Sequence, residues 1–185
     1  MSMPASRHRF TVDEWHQMIE AGVVRKGQRL ELLEGEIFEM APIGPHHASV
    51  VDRLTHLLVT RFGHVAIVRV QGPITVDKRS EPEPDLTLMR RRSDFYRKAH
   101  PGPSDTFLVV EVADSSFDYD HAKLRIYART GVEEVWIVDL RGDRVEIHRR
   151  PRDGAYVEMR FAERGEDLAC LAFPDITLGV ADILG

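Results

Sequence analysis

Along the chain the apolar positions change period several times, and each change marks an element. Thr11-Val12-Asp13-Glu14 has the form of a capping box, in which the threonine hydroxyl and the glutamate carboxylate each satisfy a free backbone N–H. It predicts a helix running to about Ala21 and stopping at Gly22. From Leu30 to Met40 two short apolar runs flank Glu34-Gly35, the pattern of a β-hairpin, which the Pro42 to Pro45 stretch ends. Between His46 and Phe62 the positions Val50, Val51, Leu54, Leu57, Leu58 and Phe62 recur at helical spacing with one buried face.

Strand patterns follow at Val65–Val70, Ile74–Val76 and Asp85–Met89, separated by Gly72-Pro73 and by the Pro82/Pro84 segment. Thr106–Val112 is apolar on both of its faces, with Phe107, Val109 and Glu111 on one and Leu108, Val110 and Val112 on the other. Such a run predicts a central strand covered on both sides. Asp118–Arg129 reads as a helix stopping near Gly131, and Glu133–Asp139 as another buried strand. Arg144–His148 and Tyr156–Phe161 extend an antiparallel set, and the tail from Phe173 is expected to dock as a loop or short helix. A helix between two buried strands predicts a right-handed β-α-β crossover. The expected fold is therefore α/β: a central mixed sheet flanked by helices, in one domain spanning 10–185 behind a loose or disordered segment 1–9.

Composition narrows the class further. Cys170 is the only cysteine, which excludes a disulfide framework or a cysteine-based zinc site within one chain. No apolar run approaches the ~20 residues needed to cross a bilayer, and the start lacks the apolar core of a signal peptide. A reducing cytoplasm is the expected compartment, with no membrane partner. The net charge of −5 gives no overall basic footprint for nucleic acid. Two local basic groups, Arg90, Arg91, Arg92, Arg97 and Lys98, then Arg149, Arg150 and Arg152, read as solvated loop faces.

Candidate chemistry gathers on a few polar residues in apolar settings. Pro84 cannot donate to a sheet ladder and marks a strand start, which leaves Asp85 as that strand's first polar residue. Glu111 interrupts a wholly apolar run, and a buried carboxylate is costly unless paired, hydrogen-bonded or metal-bound. On the next helix Asp120, Lys123 and Tyr127 share one face. Two carboxylates suit a hard divalent cation, which polarises a phosphoryl group, and a nearby lysine orients water or stabilises developing charge. His46 and His47 are adjacent, so both rings do not fall on one helix face, and a two-histidine zinc site from this pair is disfavoured. No Gly-rich phosphate loop, Gly-x-Ser-x-Gly elbow or His-Glu-x-x-His is present. Ser115-Ser116 with His121 and Asp118 is too local in sequence to make a persuasive hydrolase triad.

The order and spacing of several blocks resemble the Uma-type restriction endonuclease family of the PD-(D/E)XK superfamily. They are Leu30–Glu36, Pro45-His46-His47, Pro84-Asp85, Glu111-Val112 with Ser115-Ser116, then Asp120, Lys123 and Tyr127, and finally Gly131–Asp139. The resemblance runs from Phe10 to about Leu184 and implies a restriction-endonuclease-like fold. It further implies Asp85 and Glu111 as metal carboxylates for Mg²⁺ or Mn²⁺, with Glu31 as an additional acidic member. In a plain Glu-x-Lys motif the lysine would stand at position 113, which is Ala113; the family places it on the following helix, at Lys123. His47, Asp120 and Tyr127 are supporting candidates. The expected activity is endonucleolytic cleavage of DNA, by a single site or a homodimer. Two other readings stay open: a nonenzymatic binding or assembly module, motivated by the acidic balance, and a phosphodiesterase acting on RNA or a small nucleotide.

Overall fold

The computed structural model describes residues 6–114 and 117–185; the Ser115-Ser116 pair lies outside the described residues. Helix α1 (Val12–Glu20) begins at the expected capping box: the Thr11 N–H donates to Glu14 Oε2 at 2.8 Å, and the Glu14 N–H to Thr11 Oγ1 at 3.2 Å. Strands β1 (Leu30–Leu33) and β2 (Glu36–Glu39) form the hairpin. Its turn has Glu34 at φ +51° and Gly35 at φ +80°, the positive-φ pair whose twist matches that of the strands. A side chain at Gly35 would also meet Arg9 Cβ at 2.8 Å and Phe10 O at 2.9 Å, so glycine is required there twice over.

Helix α2 (Pro45–Phe62) leads into β3 (Ile67–Val70), β4 (Leu86–Met89) and β5 (Thr106–Ala113). Helix α3 (Phe117–Thr130) then crosses to β6 (Glu134–Asp139), which is followed by β7 (Arg144–Arg152) and β8 (Ala155–Glu163). These six strands make one sheet in the order β3-β4-β5-β6-β7-β8. Every pairing is antiparallel except β5 with β6, which are parallel, as a helical crossover between them requires.

Both faces of the sheet are covered. Val50, Leu54, Leu58 and Phe62 of α2 pack on Leu86, Leu108, Val110 and Trp136. On the other face Ile126 and Tyr127 of α3 pack on Val109, Val135 and Ile137. Each fully buried aliphatic side chain of this kind contributes roughly 1.5–3 kcal/mol. The alternation breaks at Phe107. Leu88 pairs with Leu108 and Met89 with Thr106, a bulge that leaves Phe107 unpaired. Its ring turns to the α2 side and stacks edge-on to Phe173 at 5.0 Å, away from Val109 and Glu111.

Some local expectations fail. Ile74–Val76 is buried but is not a strand: its N–H groups donate to Pro82 O, Pro101 O and Ser80 O, three irregular partners in place of a ladder. The tail contains β9 (Asp167–Cys170) and β10 (Phe173–Gly179), paired antiparallel, before α4 (Val180–Leu184). The second basic group is not a loop. It lies on β7, where the half-buried Arg149 pairs with Glu134 at 2.8 Å. No helix among the described residues is long and apolar enough to cross a membrane.

Candidate active site

The pairing of β4 with β5 places the first two carboxylates. Leu86 stands opposite Val110, so Asp85, one residue earlier, stands beside Glu111 on the neighbouring strand and on the α3 side. Helix α3 lies over that face, and its residues Tyr119, Asp120, Lys123 and Tyr127 fall within one stripe. Hairpin strand β1 brings Glu31 from one side, and the first turn of α2 brings His47 from another.

Lys123 is the hub. Its ammonium group lies 2.8 Å from Glu111 Oε1 and 3.5 Å from Glu31 Oε2, with all three side chains almost completely enclosed. Thus the helix delivers a cation to the strand glutamate even though position 113 is Ala113. The Tyr127 hydroxyl donates to Glu111 Oε1 at 2.7 Å, so this core residue also holds the glutamate. The Tyr119 hydroxyl donates to Glu31 Oε1 at 2.6 Å, and the Glu83 N–H to Glu31 Oε2 at 2.8 Å. Asp85 Oδ2 accepts from the Val112 N–H at 2.9 Å and lies 3.1 Å from His47 Nε2. Gln71 Nε2 approaches Asp85 Oδ1 at 3.5 Å. Of the adjacent histidines, His47 reaches the cluster while His46 is exposed, 3.8 Å from Asp114.

The charges are unbalanced. Glu31, Asp85, Glu111 and Asp120 are all buried near a single lysine. Burial pushes the Glu111 carboxyl up to about 8; Lys123 opposes this, and the charges of Asp120, Asp85 and Glu31 add to it. Asp85 goes the other way. Its burial is outweighed by the His47 hydrogen bond and charge, the Val112 N–H and Lys123, and its pKa is lowered. The Asp85 hydrogen bond in turn holds His47 above the ordinary histidine range, against its partial burial. Burial opposes the charged form of Lys123, but Glu111, Glu31 and Asp120 overcome it and hold the amine firmly protonated.

A surplus of buried carboxylate is what a hard divalent cation, bound through oxygen, relieves. His47, one of the residues that wall the adjoining cleft, has its Nδ1 buried without a hydrogen-bond partner among the described residues. That cleft has a volume of about 380 Å³ and is walled by the carboxylates, His47, Lys123, Arg29, Met40 and Pro42. Glu134 provides the contrast. It is equally buried, yet Trp136 Nε1, Arg149 Nε and the Leu171 N–H donate to it, and it needs no further cation.

The expected residues Glu31, His47, Asp85, Glu111, Asp120, Lys123 and Tyr127 therefore meet in one place. Tyr119, Glu83 and Gln71 join them without having been expected. A tyrosine four residues before Lys123 on the same helix face was the available signal for Tyr119; nothing local marks the other two.

The profile of the Uma2 family, described as "Putative restriction endonuclease", matches residues 12–181. Among solved structures, a protein from Anabaena variabilis ATCC 29413, described as a putative nuclease belonging to DUF820, shares the fold. The TM-score is 0.73 at 13% sequence identity, over 95% of this chain and 97% of that one. No curated protein matches the chain.

Proposed function

Since the chain belongs to the Uma2 family, we propose that it is a divalent-metal-dependent endonuclease hydrolysing phosphodiester bonds of DNA. The observation that supports this most is the 2.8 Å contact between Lys123 and Glu111, with Asp85 beside them on the adjoining strand. In this reading Asp85 and Glu111 hold Mg²⁺ or Mn²⁺, with Glu31 supporting them. The ion supplies Lewis-acid polarisation of the phosphate and a lowered water pKa. Lys123, fixed between Glu111 and Glu31, presents a permanent positive charge to the attacking water or the scissile phosphate. Tyr127 and Tyr119 orient the carboxylates of Glu111 and Glu31, and His47 orients Asp85 through its Nε2. Asp120 adds negative charge that helps to retain the cation.

Among the described residues there is one such cleft, so a single copy nicks one strand and a homodimer cuts both together. The volume of about 380 Å³ favours one competing reading, a phosphodiesterase for a small nucleotide, because it suits a ligand of that size.

The test is nicking of supercoiled plasmid with Mg²⁺ and with Mn²⁺. Glu111→Gln and Lys123→Ala are expected to lower the rate by at least ~100-fold. Removing one partner of a buried pair costs about 3–5 kcal/mol, so rates are compared at a temperature where each variant is folded by circular dichroism. Cutting that survives Glu111→Gln would sink the assignment. Hydrolysis of small nucleotides with no plasmid cutting would favour the competing reading.

A further inference from the structure

A second cluster of ligating side chains lies away from the carboxylate cleft. His16 projects from α1, Glu81 from the segment before β4, and His100 from the loop after β4. His16 Nε2 is 2.7 Å from Glu81 Oε1, and the two imidazole rings meet edge-on with centroids 6.0 Å apart. One ligand atom from each of the three residues lies within 4.8 Å of the others. We propose that His16, Glu81 and His100 form a metal site for a transition-metal ion of the Zn²⁺ class, distinct from the Mg²⁺-type cleft.

The donor chemistry separates the two sites. Two imidazoles and one carboxylate are borderline nitrogen and oxygen donors, the set used by zinc centres that keep one position open. Glu81 is 3% exposed, and its second oxygen accepts from Thr75 Oγ1 at 2.6 Å. A ligating carboxylate held in this way by a hydroxyl is oriented before the ion arrives. Beside the three ligands is a cleft of about 290 Å³, walled by Trp15, Ile19 and Pro73, which gives a fourth ligand room to enter.

An ion pair between protonated His16 and Glu81 is the simpler use of these groups. It accounts for the buried carboxylate but not for the convergence of His100 on the same point. A further grouping, His121, Glu146 and His148, has similar spacing. There Arg144 Nη2 lies 3.4 Å from Glu146 Oε1, a fixed positive charge that opposes a cation. No such guanidinium contact falls on Glu81 among the described residues.

The position gives the site a structural consequence. Glu81 N–H donates to Leu32 O at 2.7 Å, Glu83 N–H to Glu31 at 2.8 Å, and Asp85 follows two residues later. An ion on Glu81 would pin α1, the loop at His100 and the ribbon that leads to Asp85 at one point. The inference does not rest on the nuclease reading, and absence of DNA cutting leaves it intact.

The experiment is titration of the full chain with Co²⁺, a spectroscopic stand-in for Zn²⁺, followed by competition with Zn²⁺. One equivalent is expected to give the visible ligand-field bands of a four-coordinate ion, and Zn²⁺ to abolish them. The bands should persist in the Asp85→Asn/Glu111→Gln double variant. His16→Ala and His100→Ala should weaken binding by at least ~100-fold, and Thr75→Val by about tenfold. His100 is exposed, so His100→Ala tests the site without disturbing the core. Bands that persist in His100→Ala, that vanish in the double variant, or that never appear overturn the proposal.

Discussion

Among single side chains the dominant fact is the burial of four carboxylates, Glu31, Asp85, Glu111 and Asp120, around Lys123. Glu111 has a pKa raised from 4.5 to about 8, chiefly by burial. With divalent ions chelated, the folded chain therefore keeps a proton that the unfolded chain has already released between these two values. Where the folded state binds more protons, stability falls as pH rises. The stability of the metal-free protein should thus decline from pH 4.5 to about 8 and level off above it, by at most on the order of 5 kcal/mol. Urea denaturation across that range measures this, and Glu111→Gln should flatten the slope; an unchanged slope in the variant would place the proton elsewhere. Glu111 could be noticed in the sequence because a carboxylate inside an apolar strand demands a partner. Tyr119 offers only its place four residues before Lys123 on one helix face, and Gln71 offers nothing, since a glutamine in a loop is ordinary until the fold brings it to Asp85.

Elements whose signals are local were the legible ones. The capping box of α1 is an example, and it yields a measurable expectation: Thr11→Ala should destabilise the protein by about 1 kcal/mol in urea denaturation, and Thr11→Ser should restore most of that. Equal stability of all three proteins would mean that packing of Trp15 alone fixes the helix. Glu34-Gly35 and the helical stripe of α2 were equally readable, because turn chemistry and a 3.6-residue period need no distant partner. β9 and β10 were not. Only Leu178 is buried along β10, and a register shift separates Phe173 from Thr177, so no alternation survives in the sequence. Ile74–Val76 misled for the opposite reason. Its residues are all β-branched and two of the three are apolar, but Pro82 and Pro84 deny it a regular neighbour.

For the molecule as a whole, charge is arranged along the sheet. Asp85 precedes β4 and Arg90 follows it, so the acidic cleft and the basic 90–98 stretch are separated by roughly 16 Å of strand. Several of those basic groups are already engaged: Arg91 Nη1 donates to His64 O at 2.6 Å, and Arg92 pairs with Asp94 at 2.8 Å. A substrate centred on the cleft gains little from them. Replacing Arg91, Arg97 and Lys98 by alanine is expected to leave the plasmid-nicking rate within about twofold and the salt dependence of duplex binding nearly unchanged. A clear drop in either would mean that DNA runs the length of the sheet. The placement of Lys123 has a mechanical consequence as well. A lysine on β5 itself would be locked by the backbone hydrogen bonds of both neighbouring strands. Held on α3, it belongs to a body bound to the sheet mainly by side-chain packing, and a slide of one helical turn, about 5.4 Å, would withdraw the ammonium from Glu111 without breaking a single rung of the sheet. The position of the ammonium at Glu111 therefore depends on how α3 packs on the sheet and not on the sheet's own ladder.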